Sequence, residues 1–198
     1  MGYIKFDKSQ LINLEYSLRR ELLRTNRAGA FSTSTIVNCN TRKYHGLLVS
    51  PQPAIDDENH VLLSALDITV IQREAEFNFG IHKYPGTFSP KGHKYIDAVT
   101  FNPIPKTTYR VGGVVFTKET AFVHDEDRLL VKYTLVEAHS PTILRLKPYL
   151  AYRNIHKLSK ANVFAERKYT EIKNGVKMRI KMGQTFFINL ILTGISNL

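Results

Sequence analysis

Hydrophobic and polar residues alternate along much of this chain, and turn signals interrupt the alternation about every ten residues. The clearest alternation runs from Val176 to Met182 and follows Asn174-Gly175. Asn-Gly is the preferred sequence for a tight type I′ turn, so this stretch predicts a β-hairpin. A second hairpin is predicted where Gly112-Gly113 separates two alternating runs, Thr107 to Val111 and Val114 to Phe122. Many short strands separated by turns are typical of a β-sandwich.

One segment near the start of the chain, from Ser9 to Leu23, fits a helix as well as a strand. Ser9 is a suitable N-cap, and leucines recur after it at helical spacing, at Leu11, Leu14, Leu18 and Leu22. Three other large residues, Ile12, Tyr16 and Leu23, fall off that stripe, so the pattern leaves the segment open. The fold class predicted from the residues is all-β, a β-sandwich with at most one short helix.

The length and composition fit one globular domain. At 198 residues, with 43% hydrophobic and 23% charged residues, the chain can bury a large core, and we predict a single β-sandwich domain over residues 1–198. No run of about eighteen apolar residues occurs, so no membrane span is predicted. The single cysteine, Cys39, excludes an internal disulfide. Together with the polar N-terminal residues MGYIKFDKSQ, this predicts a cytoplasmic protein.

The net charge of +11 is unevenly distributed. Between Pro141 and Met182 there are eleven lysines or arginines and only two acidic residues. A basic face of this kind usually binds a polyanion or an acidic protein surface. We favour an acidic neighbouring domain of a longer protein as its partner.

Two motifs in the chain resemble those of a known family. The first includes Asn26, Gly29 and Ser34-Thr35 and continues as NTRKYHGLLV over residues 40–49. The second is LKPYLAYRNIH over residues 146–156. Both are similar, in the same order, to motifs in the N-terminal region of bacterial and archaeal-type glycogen debranching enzymes of the amylo-α-1,6-glucosidase kind. The resemblance extends over roughly Glu21 to Leu190.

The resemblance implies a supersandwich, similar to galactose mutarotase, that precedes a catalytic (α/α)₆ barrel. In this family the catalytic acids belong to the barrel, and nothing in this chain resembles it. We therefore expect residues 1–198 to be the non-catalytic N-terminal part of a longer α-1,6-glucosidase. It would pack on the barrel and contribute to binding α-glucan, such as glycogen or a branched maltooligosaccharide. No catalytic residue, cofactor, metal or membrane partner is assigned to it.

The carboxylates of the chain agree with a non-catalytic role. Glycoside hydrolysis normally requires two of them on opposite sides of the bond. Asp56-Asp57-Glu58 lies in a proline-bounded loop and Asp125-Glu126-Asp127 at a hairpin turn, where solvated acidic residues are commonplace. Asp67 stands alone in an apolar strand, and we expect its carboxylate to bond to nearby backbone.

Residues for substrate binding or for contact between domains come from both motifs. Sugar recognition uses an aromatic ring and polar groups of fixed direction. The candidates are Asn26, Arg42, Tyr44, His45, Arg153, Asn154 and His156. His45 fits a hydrogen-bonded core histidine equally well, and Arg153 with His156 fits an interdomain contact better than a sugar site. If Arg42 to His45 were a strand, alternate side chains would point to opposite faces and could not all contact one ligand.

Two other functions stay open. One is a free-standing carbohydrate-binding module, which would bind glucan without a partner domain. The other is a basic β-domain that binds nucleic acid through Lys147 to Lys181 and would show steep salt dependence. The histidines at 82, 93 and 124 lack metal-binding spacing, and Cys39 is expected to be a plain buried thiol.

Overall fold

Strands make up most of the chain, as the alternating pattern predicts. The structure is a computed structural model that describes residues 4–160, 168–179, 185–189 and 191. Its contacts divide the chain into two compact units, Met1–Leu158 and Ser159–Leu198, each of which is described by itself. The single domain over residues 1–198 stays a prediction.

The described residues of the first unit, 4–158, form thirteen strands and two short α-helices. The strands are β1 (Ile4–Asp7), β2 (Glu21–Thr25), β3 (Phe31–Thr35), β4 (Gly46–Pro51), β5 (Asn59–Gln72), β6 (Ala75–Asn78), β7 (His82–Tyr84), β8 (Thr87–Ser89), β9 (Ile96–Phe101), β10 (Pro105–Val111), β11 (Val114–Phe122), β12 (Leu129–Ala138) and β13 (Thr142–Asn154). The helices are α1 (Lys8–Leu11) and α2 (Leu14–Leu18), and a 3₁₀ helix covers Gly92–Tyr95. No helix in the described ranges is long and apolar enough to cross a membrane.

Two antiparallel sheets form the framework of this unit. Sheet A has the strand order β1-β9-β10-β11-β12. Sheet B has the order β13-β5-β4-β3-β2, with β6 also paired to β5, while β7 and β8 form a separate hairpin. The predicted turn at Gly112-Gly113 is confirmed, since Val111 pairs with Val114 and both glycines have positive φ.

The core of the first unit lies between the two sheets. Sheet A contributes Val99, Tyr109, Val114 and Phe116, and sheet B contributes Ile68 and Val70. Phe79 packs at their centre, with its ring centroid 5.1 Å from each of the Tyr95, Tyr109 and Phe116 rings. Each such buried side chain stabilises the fold by about 1.5–3 kcal/mol. The predicted all-β sandwich class is confirmed.

The ambiguous N-terminal segment forms two short helices followed by a strand, where at most one helix was predicted. Asp7, and not Ser9, caps α1, and Asn13 Oδ1 accepts a hydrogen bond of 3.0 Å from Tyr16 N to cap α2. The leucine stripe packs against the core, with Leu11 buried and Leu14, Leu18 and Leu22 half-buried. The off-stripe residues Ile12 and Leu23 are exposed. The hydrophobic spacing therefore identified the buried side but not the break at Asn13.

The second unit contains the sheet β14 (Tyr169–Ile172), β15 (Gly175–Arg179) and β16 (Thr185–Asn189) in that order. The predicted hairpin is confirmed with its turn one residue earlier, because Ile172 pairs with Gly175 and the turn is Lys173-Asn174. Gly175 instead lies in the strand, where a Cβ would come within 2.2 Å of the Ile188 carbonyl oxygen. The end of the alternating run predicted from Val176 to Met182, residues 180–182, lies outside the described residues.

Replacing Leu11 with alanine should destabilise the protein by about 2–5 kcal/mol, because Leu11 is 0% exposed and its removal leaves a cavity. The matched control is Ile12→Ala, which truncates a neighbour that is 50% exposed and should cost less than about 1 kcal/mol. The measurement is the free energy of unfolding in urea. Equal losses in the two variants would contradict the described burial of the leucine stripe.

Candidate functional site

Residues Arg42 to His45 form a tight turn immediately before β4. The backbone N–H of His45 donates to the Arg42 carbonyl at 3.1 Å, and the strand begins at Gly46. Only glycine fits there, because a Cβ would lie 2.8 Å from Val49 and 2.9 Å from Val61. The strand alternation considered for these residues does not apply. Two neighbours in the turn, Lys43 and Tyr44, both contact His156.

Tyr44 and His156 bring the two sequence motifs together at the surface. Their rings meet edge to face, with centroids 5.7 Å apart, and Tyr44 Oη lies 3.5 Å from His156 Nδ1. Lys43 Nζ donates to the His156 carbonyl at 3.3 Å and lies 5.0 Å from the centre of the Tyr44 ring. The other His156 nitrogen, Nε2, is 3.2 Å from Glu58 Oε2. Lys43, Tyr44, Glu58, Asn154 and His156 are called the tyrosine patch below.

Arg153 fixes the backbone segments that carry the patch. Its guanidinium donates to the Lys43 carbonyl, to the Lys157 carbonyl at 3.1 Å, and to the carbonyls of Asn154 and Ile155 at 3.4 Å each. These bonds fasten the end of β13 to the turn that carries Tyr44. Burial lowers the pKa of this guanidinium. Arg153 is therefore a positioning residue, since both NH1 and NH2 already donate to backbone carbonyls.

Asn154 has a similar positioning role at the edge of the patch. Its Oδ1 accepts from the His156 N–H at 2.8 Å, and its Nδ2 lies 3.5 Å from Asp56 Oδ2. These contacts orient the backbone at His156. Lys43, Tyr44, Glu58 and His156 are exposed, with Tyr44 at 42%, whereas Asn154 is half-buried.

The acidic residues of the loop 56–58 are exposed, as the sequence predicts, and two of them, Asp56 and Glu58, also contact this site. Besides the Glu58 contact, Asp56 Oδ2 lies 3.7 Å from Nε2 of His60, which is buried. Asp56 and Glu58 reach the site because β5 pairs with β13, which places Asn154 opposite His60. No local pattern in the sequence reveals this long-range register.

His45 is a core histidine and not part of the tyrosine patch. It is 2% exposed, and its Nδ1 accepts a hydrogen bond of 3.1 Å from Thr41 N, so the neutral ring carries its proton on Nε2. Nε2 lies 3.2 Å from Glu21 Oε1 but outside hydrogen-bond geometry. Burial lowers the pKa of His45, while the Glu21 carboxylate opposes that shift. Arg42 turns to the same carboxylate, with Nε 3.0 Å from Oε1.

Asn26 lies away from the patch and is satisfied by backbone. Its Nδ2 donates to the carbonyls of Val123 at 3.0 Å and Glu126 at 2.8 Å, and its Oδ1 accepts from Ala30 N at 2.9 Å. It links the β2–β3 turn to the loop after β11. These contacts describe a structural role.

Asp67 departs from its predicted contact, whereas Cys39 matches its predicted burial. Asp67 binds a side chain and not backbone as predicted, since its Oδ2 accepts from His82 Nε2 at 2.8 Å. Cys39 is buried as predicted, and burial raises the pKa of its thiol to about 11. Within the described ranges, no three His, Cys, Asp or Glu side chains are grouped as a metal site would need.

The fold and the patch define an all-β domain with an exposed aromatic and polar surface built from two distant motifs. A family model described as glycogen debranching enzyme N terminal matches residues 20–191, which is most of the chain. The chain therefore belongs to the glycogen debranching enzyme N-terminal family, as its motifs predict. Comparisons with curated proteins and with solved structures gave no match.

The buried state of His45 generates a pH prediction. Because its folded-state pKa is lowered, the unfolded chain takes up a proton more readily as the pH falls below about 6.5. The stability held above that pH is therefore lost progressively below it. We expect the unfolding free energy of His45→Asn, which keeps an acceptor for Thr41 N, to fall less steeply with decreasing pH. Burial also lowers the pKa of His93. His93 therefore accounts for part of the pH dependence that remains in the His45→Asn variant.

The control for this pH series is His124→Asn, since His124 is largely exposed and lies 3.7 Å from Asp125 at the surface. The unfolding free energy of this control should change with pH as steeply as that of the unsubstituted protein. The measurement is urea unfolding between neutral and mildly acidic pH. A slope unchanged by His45→Asn would contradict the assignment of His45 as a neutral core histidine.

Arg153→Lys should cost about 1–3 kcal/mol, because one ammonium cannot bond the four carbonyls that the guanidinium reaches. Arg19→Lys, at an exposed pair with Glu15, should change stability by less than about 0.5 kcal/mol. Urea unfolding measures both, and the ring signals of Tyr44 report whether the turn has moved. Equal, small effects would show that Arg153 does not hold the patch.

Proposed function

We propose that this chain is the non-catalytic N-terminal domain of an α-1,6-glucosidase that debranches glycogen. In this proposal it packs on the (α/α)₆ catalytic barrel in the cytoplasm, and its tyrosine patch contributes to glucan binding. The observation that carries the proposal is the exposed Tyr44 ring, which directed polar groups surround.

The chemistry of the patch suits a neutral sugar. An exposed aromatic ring can pack against the apolar C–H face of a glucose unit. Lys43 and Asn154 offer donors, the Glu58 carboxylate offers acceptors, and the His156 imidazole can do either. The ammonium of Lys43 and the carboxylate of Glu58 also offset each other, so the patch offers little net charge to a polyanion.

The contact with the barrel is supported by apolar residues on the edge strands β12 and β13. Large side chains there are more than half exposed, namely Leu130, Leu135, Val136 and Ile143. Large exposed apolar groups on edge strands can mark a protein interface. A catalytic domain seated on these edges would remove them from water.

The other two functions are separable from this one. A free-standing carbohydrate-binding module would show glucan binding by the isolated chain as strong as that of the whole enzyme. Nucleic-acid binding through Lys147 to Lys181 stays a prediction, and one arginine of that segment, Arg153, already donates to backbone carbonyls.

The test is titration of the purified chain with a branched maltooligosaccharide, followed by ¹H–¹⁵N chemical shifts. We expect saturable shifts at Tyr44 and His156 that persist at high salt, because the ligand is neutral. Tyr44→Ala should weaken binding about threefold to tenfold through the lost aromatic contact. The control Tyr84→Ala removes a tyrosine that is 52% exposed on β7 and should leave binding unchanged.

Absence of shifts at millimolar sugar would contradict the glucan-binding half of the proposal. Docking would then be measured alone, by adding the catalytic domain and following the amides of β12 and β13. Shifts that disappear at high salt would instead indicate binding through charge.

A further inference from the structure

A pocket separate from the tyrosine patch lies between sheets A and B. It is a cavity of about 70 Å³ lined by residues of β2, β3, β5, β10 and β11. Its rim includes the half-buried residues Arg24, Ser32 and Thr120. A cavity of this size has room for several waters or for one small polar ligand.

Lys118 is the unusual group in this pocket. It is only 5% exposed, because it lies two residues after the core residue Phe116 on β11 and so shares its face. Among the described residues, no hydrogen bond or ion pair within 4.0 Å reaches its ammonium. A lysine ammonium in a largely buried residue is costly when no counter-charge lies close to it.

Asp67, the carboxylate that does act on Lys118, is already engaged. It favours the charged amine electrostatically, while burial lowers the pKa of Lys118 to about 8. Yet Asp67 Oδ2 accepts the 2.8 Å hydrogen bond from His82 and makes no ion pair with the lysine. An amine with that pKa is still mostly protonated at neutral pH, so the pocket has a cation that lacks a direct counter-charge.

Besides the Asp67 carboxylate, which also lines the pocket and is bonded to His82, several polar groups of the pocket can donate hydrogen bonds to an anion. The hydroxyls of Ser32, Thr107 and Thr120 can donate, and Arg24 adds a second cation at the rim, where its NH1 donates to the Pro103 carbonyl at 2.9 Å. Ammonium, guanidinium and hydroxyl donors around one cavity are the chemistry that recognises oxyanions.

We propose that the pocket between the sheets binds a small oxyanion of the phosphate type, held by Lys118, with Arg24 at the entrance. The phosphate group would be either the free ion or part of a small phosphate monoester. This site is independent of the glucan surface, since neither Tyr44 nor His156 lines it.

The first experiment is isothermal titration calorimetry of the 198-residue chain with inorganic phosphate at neutral pH and low ionic strength. We expect saturable binding that weakens about tenfold or more in Lys118→Met, which keeps the length of the side chain and removes its charge. The matched control is Lys106→Met, which removes an exposed lysine of the same sheet and should leave phosphate binding unchanged. Equal weakening in the two variants would overturn the proposal.

A second measurement on the unsubstituted protein keeps the test independent of how Lys118→Met folds. Addition of phosphate should shift the amide signals of Thr107 and Thr120, and Tyr44→Ala should not alter these shifts. Glycerol phosphate distinguishes the two sources, since a bound ester would also shift Arg24 and Ser32 at the rim. Phosphate shifts alone would assign the free ion. No saturable shift with either probe, or the same shifts with neutral glucose in place of phosphate, would overturn the oxyanion site.

Discussion

The packing of Phe79 between the two sheets is the constraint on which the first unit depends. Its ring contacts Tyr109 and Phe116, which are paired across β10 and β11 and stack with centroids 4.8 Å apart. The backbone of Phe79 is approached so closely by Gly92 that a Cβ there would lie 2.2 Å from it. The cluster thus fixes both the register of sheet A and the path of the chain before β9.

The same constraint places polar groups in the interior. Because side chains on a strand alternate, the face of β10 and β11 that carries Tyr109 and Phe116 also carries Thr107 and Lys118. The register that the aromatic rings favour therefore holds a lysine inside the sandwich. A shift of one residue would move Lys118 to the other face of the sheet, but would also move both rings out of the aromatic cluster.

The sequence predicted the elements whose signals are local. The leucine stripe, the hairpin at Gly112-Gly113 and the family motifs each depend on residues close together in the chain. The break at Asn13 was missed because a cap depends on backbone geometry, which hydrophobic spacing does not report. The one-residue shift at Gly175 was missed because its cause is the Ile188 carbonyl on another strand.

The candidate site was only partly predictable because it depends on contacts between distant strands. The motif residues Tyr44 and His156 could be named, but the contributions of Asp56 and Glu58 follow from the register of β5 against β13. That register includes an irregularity between Leu150 and Arg153, with Tyr152 at a φ of 44°, a conformation that few residues other than glycine adopt. No sequence pattern announces such a bulge, although it precedes the arginine that reaches the Lys43 carbonyl.

The residues of the first motif divide between stability and recognition, and this division bears on how the motif is interpreted. His45 and Gly46 are buried and hold the turn against the core, whereas Lys43 and Tyr44 project from it. Of these two pairs, a ligand can contact only Lys43 and Tyr44. The position of Lys43 and Tyr44 is still set by His45 and Gly46. A motif therefore identifies the family more directly than it identifies the side chains that contact a sugar. Only burial and contacts separate these residues: they leave Tyr44 and His156 exposed, and they give His45, Arg153 and Asn26 contacts that hold the fold.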